Sequence, residues 1–269
     1  MRSAVVTKEA TQDSVAAWSR IAEQYRECGQ HANALRACLT GLETHPGELP
    51  LLDLLTNLHW DAGELANALN AAEDLLSADP SNAWGWFRLG LLLQRLKHFS
   101  AAIRSFRKAV ALAPNVSLAY QQIGRTWALQ GRYARAVVWT RKALALDKDS
   151  AHMWNQLAYC CALCEMSEDA IDAGRRAVAM DANAHTWHSL GSGYMAAGRT
   201  RHAIHCFLNA VTDDWNHAQS WHDLGVAYVR SGDHPKAVAA LARLRQLDLA
   251  WSASLADTMA MTTQSLPQS

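Results

Sequence analysis

Apolar residues recur along this chain with a period of 34 residues, from about Val15 to Trp251. Within each period a first group of apolar positions is spaced by three and four residues, and a second group with the same spacing follows it. Such spacing places each group on one face of an α-helix. The pattern therefore predicts pairs of amphipathic helices in which neither helix can bury its apolar face alone, so that neighbouring pairs must stack.

The clearest period runs from Ala83 to Val116. Its apolar and small residues occupy positions 4, 7, 8 and 11 of a first predicted helix, and positions 20, 24 and 27 of a second. Small residues at positions 8 and 20 allow the two helix backbones to approach closely. With the proline that closes the period, these residues are Trp86, Leu89, Gly90, Leu93, Ala102, Phe106, Ala109 and Pro114.

The same frame fits seven successive repeats, of which only the fifth is one residue short. Position 20 is alanine in all seven, and position 4 is aromatic in every repeat except the second, where it is Leu52. In five repeats a glycine near position 15 is expected to end the first helix. The repeats cover residues 15–48, 49–82, 83–116, 117–150, 151–183, 184–217 and 218–251.

These residues resemble the signature of the tetratricopeptide repeat, and the resemblance covers about 237 of the 269 residues. It implies an all-α, right-handed superhelical solenoid of about seven helix-turn-helix repeats that binds another protein. Beyond the repeats, Leu255, Met259 and Met261 are at helical spacing, so residues 252–269 are predicted to form a capping helix and a disordered tail. Residues 1–14 are predicted to be a flexible segment.

Composition is that of a globular protein, with 50% apolar and 19% charged residues. The formal net charge of zero hides a segregation, because residues 1–80 carry −7, residues 81–150 carry +10 and residues 151–269 carry −3. A basic middle segment between acidic ends indicates which partners the chain can bind and says nothing about its fold. Its outer face is predicted to include Arg104, Arg107, Lys108, Arg141 and Lys142.

Tryptophan is the best functional signal, since the repeat pattern does not explain Trp60, Trp84 or Trp139 among the eleven tryptophans. The resemblance implies a concave groove lined by positions 2, 5, 6, 9, 12 and 13 of each first helix. Aromatic residues flanked by arginine are typical of protein-binding hot spots. The predicted protein-binding residues are Trp60, Trp84, Phe87, Arg88, Leu91, Arg95, Gln121, Arg125 and Tyr159.

Trp84, Phe87 and Leu91 are spaced by three and four residues, so they share a helix face that is rotated away from the predicted core stripe. All three are therefore expected in the groove, and the arginines beside them predict an acidic partner with apolar anchors. The alternative is that Trp84 and Phe87 pack under a neighbouring turn. Two recognition patterns of the family, the carboxylate clamp for chaperone tails and the asparagine ladder, are missing from the groove positions.

Cys161 and Cys164 form a CxxC motif, which suggests a redox pair or half a metal site. In the repeat frame both residues fall late in a first helix, and no second CxxC or βαβ pattern accompanies them. Structural thiols are therefore the preferred interpretation. The six cysteines are expected to be reduced core residues: Cys28, Cys38, Cys160, Cys161, Cys164 and Cys206.

Histidines are concentrated in the last third of the chain, but His188 and His222 in adjacent repeats are expected about 10 Å apart, too far to share one zinc ion. No phosphate-binding loop, nucleophile elbow or zinc-protease motif is present. We therefore predict no enzyme activity, no metal and no cofactor. These histidines are His185, His188, His202, His205, His217, His222 and His234.

The leading hypothesis is a non-catalytic adaptor, scaffold or chaperone that holds a peptide or helix of a partner protein, and secretion chaperones and assembly factors of bacteria look similar. The alternatives are a scaffold that self-assembles through its segregated charge, a nucleic-acid binder using the basic repeats, and a redox or metal protein using Cys161 and Cys164. No run of about 18 apolar residues and no signal-like start are present, so a cytoplasmic location is expected.

Overall fold

The structure, a computed structural model, describes residues 14–264, with side chains up to Met261. Within that range it contains fifteen helices and no strand. The chain divides into two compact units, the first ending at Thr126 and the second beginning at Trp127. The predicted flexible segment and disordered tail fall mainly on residues 1–13 and 265–269, which lie outside the described part of the chain.

The first compact unit contains α1 to α6 and most of α7. These helices are α1 (Val15–Glu27), α2 (His31–Thr44), α3 (Leu49–Asp61), α4 (Leu65–Ala78), α5 (Ala83–Arg95), α6 (Phe99–Leu112) and α7 (Ser117–Leu129). The second compact unit contains the other eight. They are α8 (Tyr133–Leu146), α9 (Ala151–Leu163), α10 (Ser167–Met180), α11 (Ala184–Ala196), α12 (Thr200–Asp213), α13 (Ala218–Ser231), α14 (His234–Leu247) and α15 (Leu249–Gln264).

The alanine at position 20 of each repeat lies on the even-numbered helices and is fully buried in all seven cases. An even-numbered helix can lie this close to its neighbours only because the methyl group occupies so little space. The predicted all-α helical-repeat fold is therefore confirmed. The seven alanines are Ala34, Ala68, Ala102, Ala136, Ala170, Ala203 and Ala237.

Five odd-numbered helices begin after a residue whose side chain caps the first turn, and for α13 this residue is His217, whose Nδ1 accepts from the backbone N–H of Ser220. The side-chain oxygens of Ser14, Asn82, Ser150 and Asn183 accept hydrogen bonds from backbone N–H groups of the helices that follow them. Each cap satisfies donors that the first turn of a helix leaves without an intrahelical partner. The capping residue that marks the start of each of these helices therefore lies one residue before position 1 of its repeat.

The glycine at position 8 makes room for the phenylalanine at position 24 of the same repeat. A Cβ atom added at Gly90 would lie 2.5 Å from a ring carbon of Phe106, and one added at Gly191 would lie 2.5 Å from a ring carbon of Phe207. Both phenylalanines are fully buried. In these two repeats the phenylalanine ring of the second helix therefore packs directly against the backbone of the first helix.

Tryptophan at position 4 joins each of three repeats to the end of the repeat before it. The indole Nε1–H of Trp86 donates to the carbonyl oxygen of Pro80 at 2.9 Å, and that of Trp154 donates to the carbonyl oxygen of Lys148 at 2.8 Å. Trp221 makes the same bond to Trp215 at 2.9 Å. In each case the acceptor of the indole N–H lies six residues earlier in the chain.

The C-terminal helix α15 begins three residues earlier than residue 252, where the sequence pattern placed it. Leu255 is fully buried, and a Cβ atom added at Gly225 of α13 would lie 2.4 Å from its side chain. Met259 packs partly against the same cluster, whereas Met261 is exposed. Of the three apolar residues that suggested a cap, Leu255 therefore makes the main contact. No helix in the described range is long and apolar enough to cross a membrane.

The turn after α5 and the turn after α9 lack the glycine found at position 15 of the other repeats. Lys97 and Glu165 occupy it with φ angles of 61° and 60°, in the left-handed region that costs a residue with a Cβ atom about 1–2 kcal/mol. We expect Lys97→Gly and Glu165→Gly each to raise the free energy of unfolding by about 0.5–1 kcal/mol, after the entropy of the unfolded glycine is subtracted. Chemical denaturation measures the change. Gly131→Ala, at the equivalent turn after α7, should lower the free energy of unfolding. If Lys97→Gly and Glu165→Gly were both less stable than the wild type, the two residues would not be strained.

Candidate functional site

A cavity of about 240 Å³ opens between α3 and α5 in the first compact unit. It is lined mostly by residues that the groove positions of repeats 2 and 3 place together, which is why two successive odd-numbered helices contribute to it. Four of the nine predicted protein-binding residues meet here. The lining residues are Thr56, Asn57, Trp60, Trp84, Arg88, Leu91 and Leu92.

Each of the two tryptophans in this cavity has an arginine over its ring. The guanidinium carbon of Arg88 lies 5.4 Å from the ring centre of Trp84, and that of Arg95 lies 5.0 Å from the ring centre of Trp60. Trp84 is 48% exposed, a large fraction for an aromatic residue on the inner helix of a stacked repeat. Arginine stacked on an exposed indole is held in place while its N–H groups stay available to a carboxylate.

Arg88 also forms an ion pair with Asp53 of α3, to which its Nη1 atom donates. The pair joins α3 to α5 and balances one of the positive charges that the sequence assigned to the groove. Arg95 and Arg125 are exposed and make no ion pair that the structure records within residues 14–261. The net positive charge of this surface therefore comes from Arg95 and Arg125 rather than from Arg88.

Phe87 does not lie in the groove, so the prediction that it forms an exposed anchor beside Trp84 is wrong. It is 4% exposed. Its ring stacks under Trp84 at 4.9 Å between ring centres and packs against Phe106 of α6 at 5.7 Å. Phe87 is a core residue that supports Trp84 from below, and Trp84 is the exposed member of the pair.

The other predicted binding residues do not line the cavity. Gln121 is half-buried and Arg125 exposed on α7. Tyr159 belongs to the second compact unit, where its ring meets that of Tyr133 edge-on at 6.3 Å between centres. Burial raises the pKa of Tyr159, so its hydroxyl is neutral at physiological pH. A groove role for these three residues remains a prediction.

The CxxC cysteines are placed poorly for redox chemistry. Cys161 is fully buried and Cys164 is the half-exposed residue that ends α9. Burial raises the pKa of the Cys161 thiol to about 11 and that of its neighbour Cys160 to about 12. Because the thiolate is the reactive form, burial disfavours reaction of these thiols at neutral pH. Cys28 is exposed, which corrects the expectation that all six cysteines are core residues.

A carboxylate–histidine network in the second compact unit was missed by the sequence analysis. His188 Nε2 and His222 Nδ1 donate to the two carboxylate oxygens of Asp223, at 2.9 and 2.8 Å. His222 Nε2 lies 3.2 Å from the hydroxyl oxygen of Ser254, so the network reaches α15. The two histidine side chains therefore converge on one carboxylate, although their helices were expected to hold them about 10 Å apart.

The ring of His217 lies 5.6 Å from that of His188 between ring centres, and its Nε2 lies 3.1 Å from Nδ1 of His185. Burial, then the neighbouring His188 and His185, lower the pKa of His217. Burial alone would raise the pKa of Asp223, but the hydrogen bonds from His188 and His222 outweigh it and lower the value to about 2. Asp223 is thus an ionised carboxylate held between two repeats. No three His, Cys, Asp or Glu side chains in the described range are grouped as a metal ion needs.

Comparisons with known proteins match two segments of the chain to family models of the tetratricopeptide repeat, over residues 83–116 and 188–253. A BBSome complex member, the BBS4 homolog of Drosophila melanogaster, is 28% identical over 136 residues, which cover 51% of this chain and 26% of that protein. Superkiller protein 3 of Schizosaccharomyces pombe is 27% identical over 140 residues, which cover 49% of this chain and 10% of that protein. The chain thus spans about a quarter or less of either relative.

Solved structures show the same fold. A tetratricopeptide-repeat protein of Parabacteroides merdae has a TM-score of 0.66 at 14% identity, with 91% of this chain and 97% of that one covered. The C-terminal part of a repeat protein of Cytophaga hutchinsonii has a TM-score of 0.68 at 14% identity, with 86% and 95% covered. YrrB, a tetratricopeptide-repeat protein, has a TM-score of 0.61 at 18% identity, with 70% and 97% covered. Because the family models match the third repeat and the last two repeats, the chain is a tetratricopeptide-repeat protein.

Proposed function

We propose that this protein is a non-catalytic adaptor or chaperone whose first compact unit holds a peptide or helix of a partner protein. The observation that carries the proposal is the cavity between α3 and α5, where Trp60 and Trp84 stand on two successive helices with an arginine over each ring. The tetratricopeptide fold suggests an interaction scaffold, and proteins of this family are generally non-catalytic. YrrB, a structural neighbour, is a tetratricopeptide-repeat protein with an unusual peptide-binding site, which supports the same interpretation.

The cavity fits one apolar side chain of the partner. Its volume of about 240 Å³ lies below the range of about 300–1,000 Å³ usual for small-molecule pockets, so a single leucine, methionine or aromatic anchor suits it better than a cofactor. The exposed indole of Trp84 supplies contact area at low cost in side-chain entropy.

The partner carries an acidic residue close to its apolar anchor. Arg95 stacks on Trp60, beside the cavity, and Arg125 on α7 is also exposed. Arg88 is already paired with Asp53, so it orients Trp84 more than it attracts the ligand. A partner carboxylate therefore meets Arg95 first, and Arg125 is the exposed arginine among the predicted groove positions of the next repeat.

Trp84→Ala is expected to weaken binding of a partner peptide by ten-fold or more, roughly 1.4 kcal/mol. Peptides are selected from a random display library on the wild-type protein, and their affinities are measured by fluorescence anisotropy. The selected sequences should be enriched in an apolar residue next to aspartate or glutamate. Arg95→Glu should weaken binding as well, and more at low salt than at high salt.

Trp215→Ala is the matched control, because Trp215 is also an exposed tryptophan with an arginine, Arg243, over its ring at 5.2 Å. It lies in the second compact unit and should leave peptide affinity unchanged. Equal losses in Trp84→Ala and Trp215→Ala, or unchanged binding by Trp84→Ala with circular dichroism intact, would rule out this cavity as the site.

A further inference from the structure

A second opening in the first compact unit lies between the outer helices α4 and α6. It has a volume of about 720 Å³, and its floor consists of Trp86, Leu89 and Leu93 from α5. Glu73 stands on the α4 side, and the α6 side carries Arg104, Arg107 and Lys108. This cleft, which we call the α4–α6 cleft, has an apolar floor between two charged rims and is separate from the cavity between α3 and α5.

The two rims carry opposite charges at the same register. Glu73 and Asp74 on α4 occupy positions 25 and 26 of their repeat, and Arg107 and Lys108 occupy the same positions on α6, 34 residues later. All four side chains are exposed, as is Arg104 one turn away. A short acidic stripe therefore runs beside a short basic stripe on one face of the molecule.

The equivalent cleft two repeats later, between α8 and α10, is built differently. It has a volume of about 420 Å³, and Trp154 and Leu157 form part of its lining. Arg141 of α8 reaches across it to Asp169 of α10 at 3.0 Å. In the α4–α6 cleft these two positions are Glu73 and Ala101, so that crossing ion pair has no counterpart. The first cleft is larger, and no ion pair joins its rims at these two positions.

We propose that the α4–α6 cleft is the interface of a symmetric dimer with a second copy of this chain. A two-fold axis through the cleft lays α4 of one copy over α6 of the other, so that the contact between an acidic and a basic stripe occurs twice in the dimer. The apolar floors face each other across the axis. An isologous interface requires such a self-complementary surface, and neighbouring stripes of opposite sign provide one.

Charge also separates a second copy from other partners. A nucleic acid or a uniformly acidic protein that approached Arg104 and Arg107 would meet Glu73 and Asp74 on the opposite rim, which repel it. A second copy offers both signs in the matching order. The formal net charge of the whole chain is zero, so two copies carry no overall repulsion. Exposed ion pairs contribute little each, so the dimer is weak and its dissociation constant rises with salt.

Charge reversal on each rim tests the interface. The variant Glu73→Lys/Asp74→Lys makes both stripes basic, and Arg104→Glu/Arg107→Glu makes both largely acidic. Lys108 is left in place because its amino group lies 5.5 Å from the ring centre of Trp86. Sedimentation equilibrium over an about 100-fold range of concentration should show a reversible dimer of the wild-type chain, with a dissociation constant at least ten-fold higher for either variant alone.

An equimolar mixture of the two reversed variants should form a heterodimer at least as tightly as the wild-type homodimer, as direct contact between the rims requires. Arg201→Glu/Arg245→Glu, a matched reversal of two exposed arginines in the second compact unit, should leave the dimer unchanged. A monomeric wild-type chain throughout, or a mixture that does not associate, would overturn the proposal. Both reversed variants should still bind the selected peptides, so the dimer and the groove can fail separately.

Discussion

We expect the substitution Phe87→Ala to lower the free energy of unfolding by about 3–5 kcal/mol. The phenyl ring is almost fully buried between Trp84 above it and Phe106 of α6 beside it. Its removal leaves a void that the surrounding helices fill only in part, because Gly90 already brings the α5 backbone against Phe106. Lost contacts and residual void together produce the large effect.

Guanidinium unfolding followed by circular dichroism measures this loss, with the slope as well as the midpoint fitted because repeat arrays need not unfold in one step. Trp84→Ala is the control, and its stability should change by less than about 1 kcal/mol since almost half of the side chain is exposed. A Phe87→Ala variant as stable as Trp84→Ala would show that Phe87 belongs to the surface after all. The double substitution Trp84→Ala/Phe87→Ala cannot test binding, because it damages the fold.

Asp223→Asn should lower the free energy of unfolding at pH 7 by about 2 kcal/mol. In the folded chain the pKa of Asp223 is about 2, below its ordinary value of 3.8, because His188 and His222 donate to the carboxylate. The asparagine keeps the shape of the side chain but removes the charge, and its NH₂ group faces one of the two donors. Replacing a charged acceptor by a donor in this network costs more than the same change at the surface.

The contribution of Asp223 to stability depends on pH. A carboxylate whose pKa is lowered by folding stabilises the protein above the unfolded pKa, and this contribution is lost as the pH falls from about 4 towards 2. The free energy of unfolding of the wild-type chain should therefore fall more steeply in this window than that of Asp223→Asn. Asp257→Asn, a change at an exposed aspartate of α15, shows whether any lost carboxylate has the same effect. Parallel curves for wild type and Asp223→Asn would contradict the network.

The fold could be predicted because the same pattern of apolar and small residues occurs in seven successive repeats. Position 20 must be small wherever two helices cross closely, and a local requirement of this kind leaves a visible mark in the sequence. The turn at position 15 is less regular, since Lys97 and Glu165 adopt the glycine conformation without being glycine. A strained residue gives no compositional sign of its conformation.

The error over Phe87 has a physical reason. The prediction treated α5 as a helix with one buried stripe, whereas an inner helix of a stack contacts helices on two sides. Its apolar face is therefore wider than that of a surface helix. Leu54 of α3 shows the same effect, because it lies outside the stripe of positions 4, 7, 8 and 11 and is still buried. Trp84 escapes burial because it lies near the start of α5, above Phe87.

The Asp223 network could not be predicted from spacing alone. The distance between two helix axes can be predicted approximately. Side chains from both helices extend into the gap between the axes, however, so their combined length decides whether they meet. Asp223 sits one residue after His222, so it can reach both histidines from the same turn. The available signal was an aspartate at a groove position, directly after His222 and one repeat after His188.

The hydrogen bonds of Trp86, Trp154 and Trp221 bear on how freely the sequence of such an array can drift. Their acceptor is a main-chain carbonyl, a group that every amino acid supplies, so the identity of the accepting residue is unconstrained. Proline, lysine and tryptophan indeed serve equally in the three cases. The donor has no such substitute, since among the large apolar side chains tryptophan alone combines this bulk with an N–H group. At these three junctions, therefore, the residue at position 32 can change without loss of the bond, whereas replacing the tryptophan at position 4 removes it.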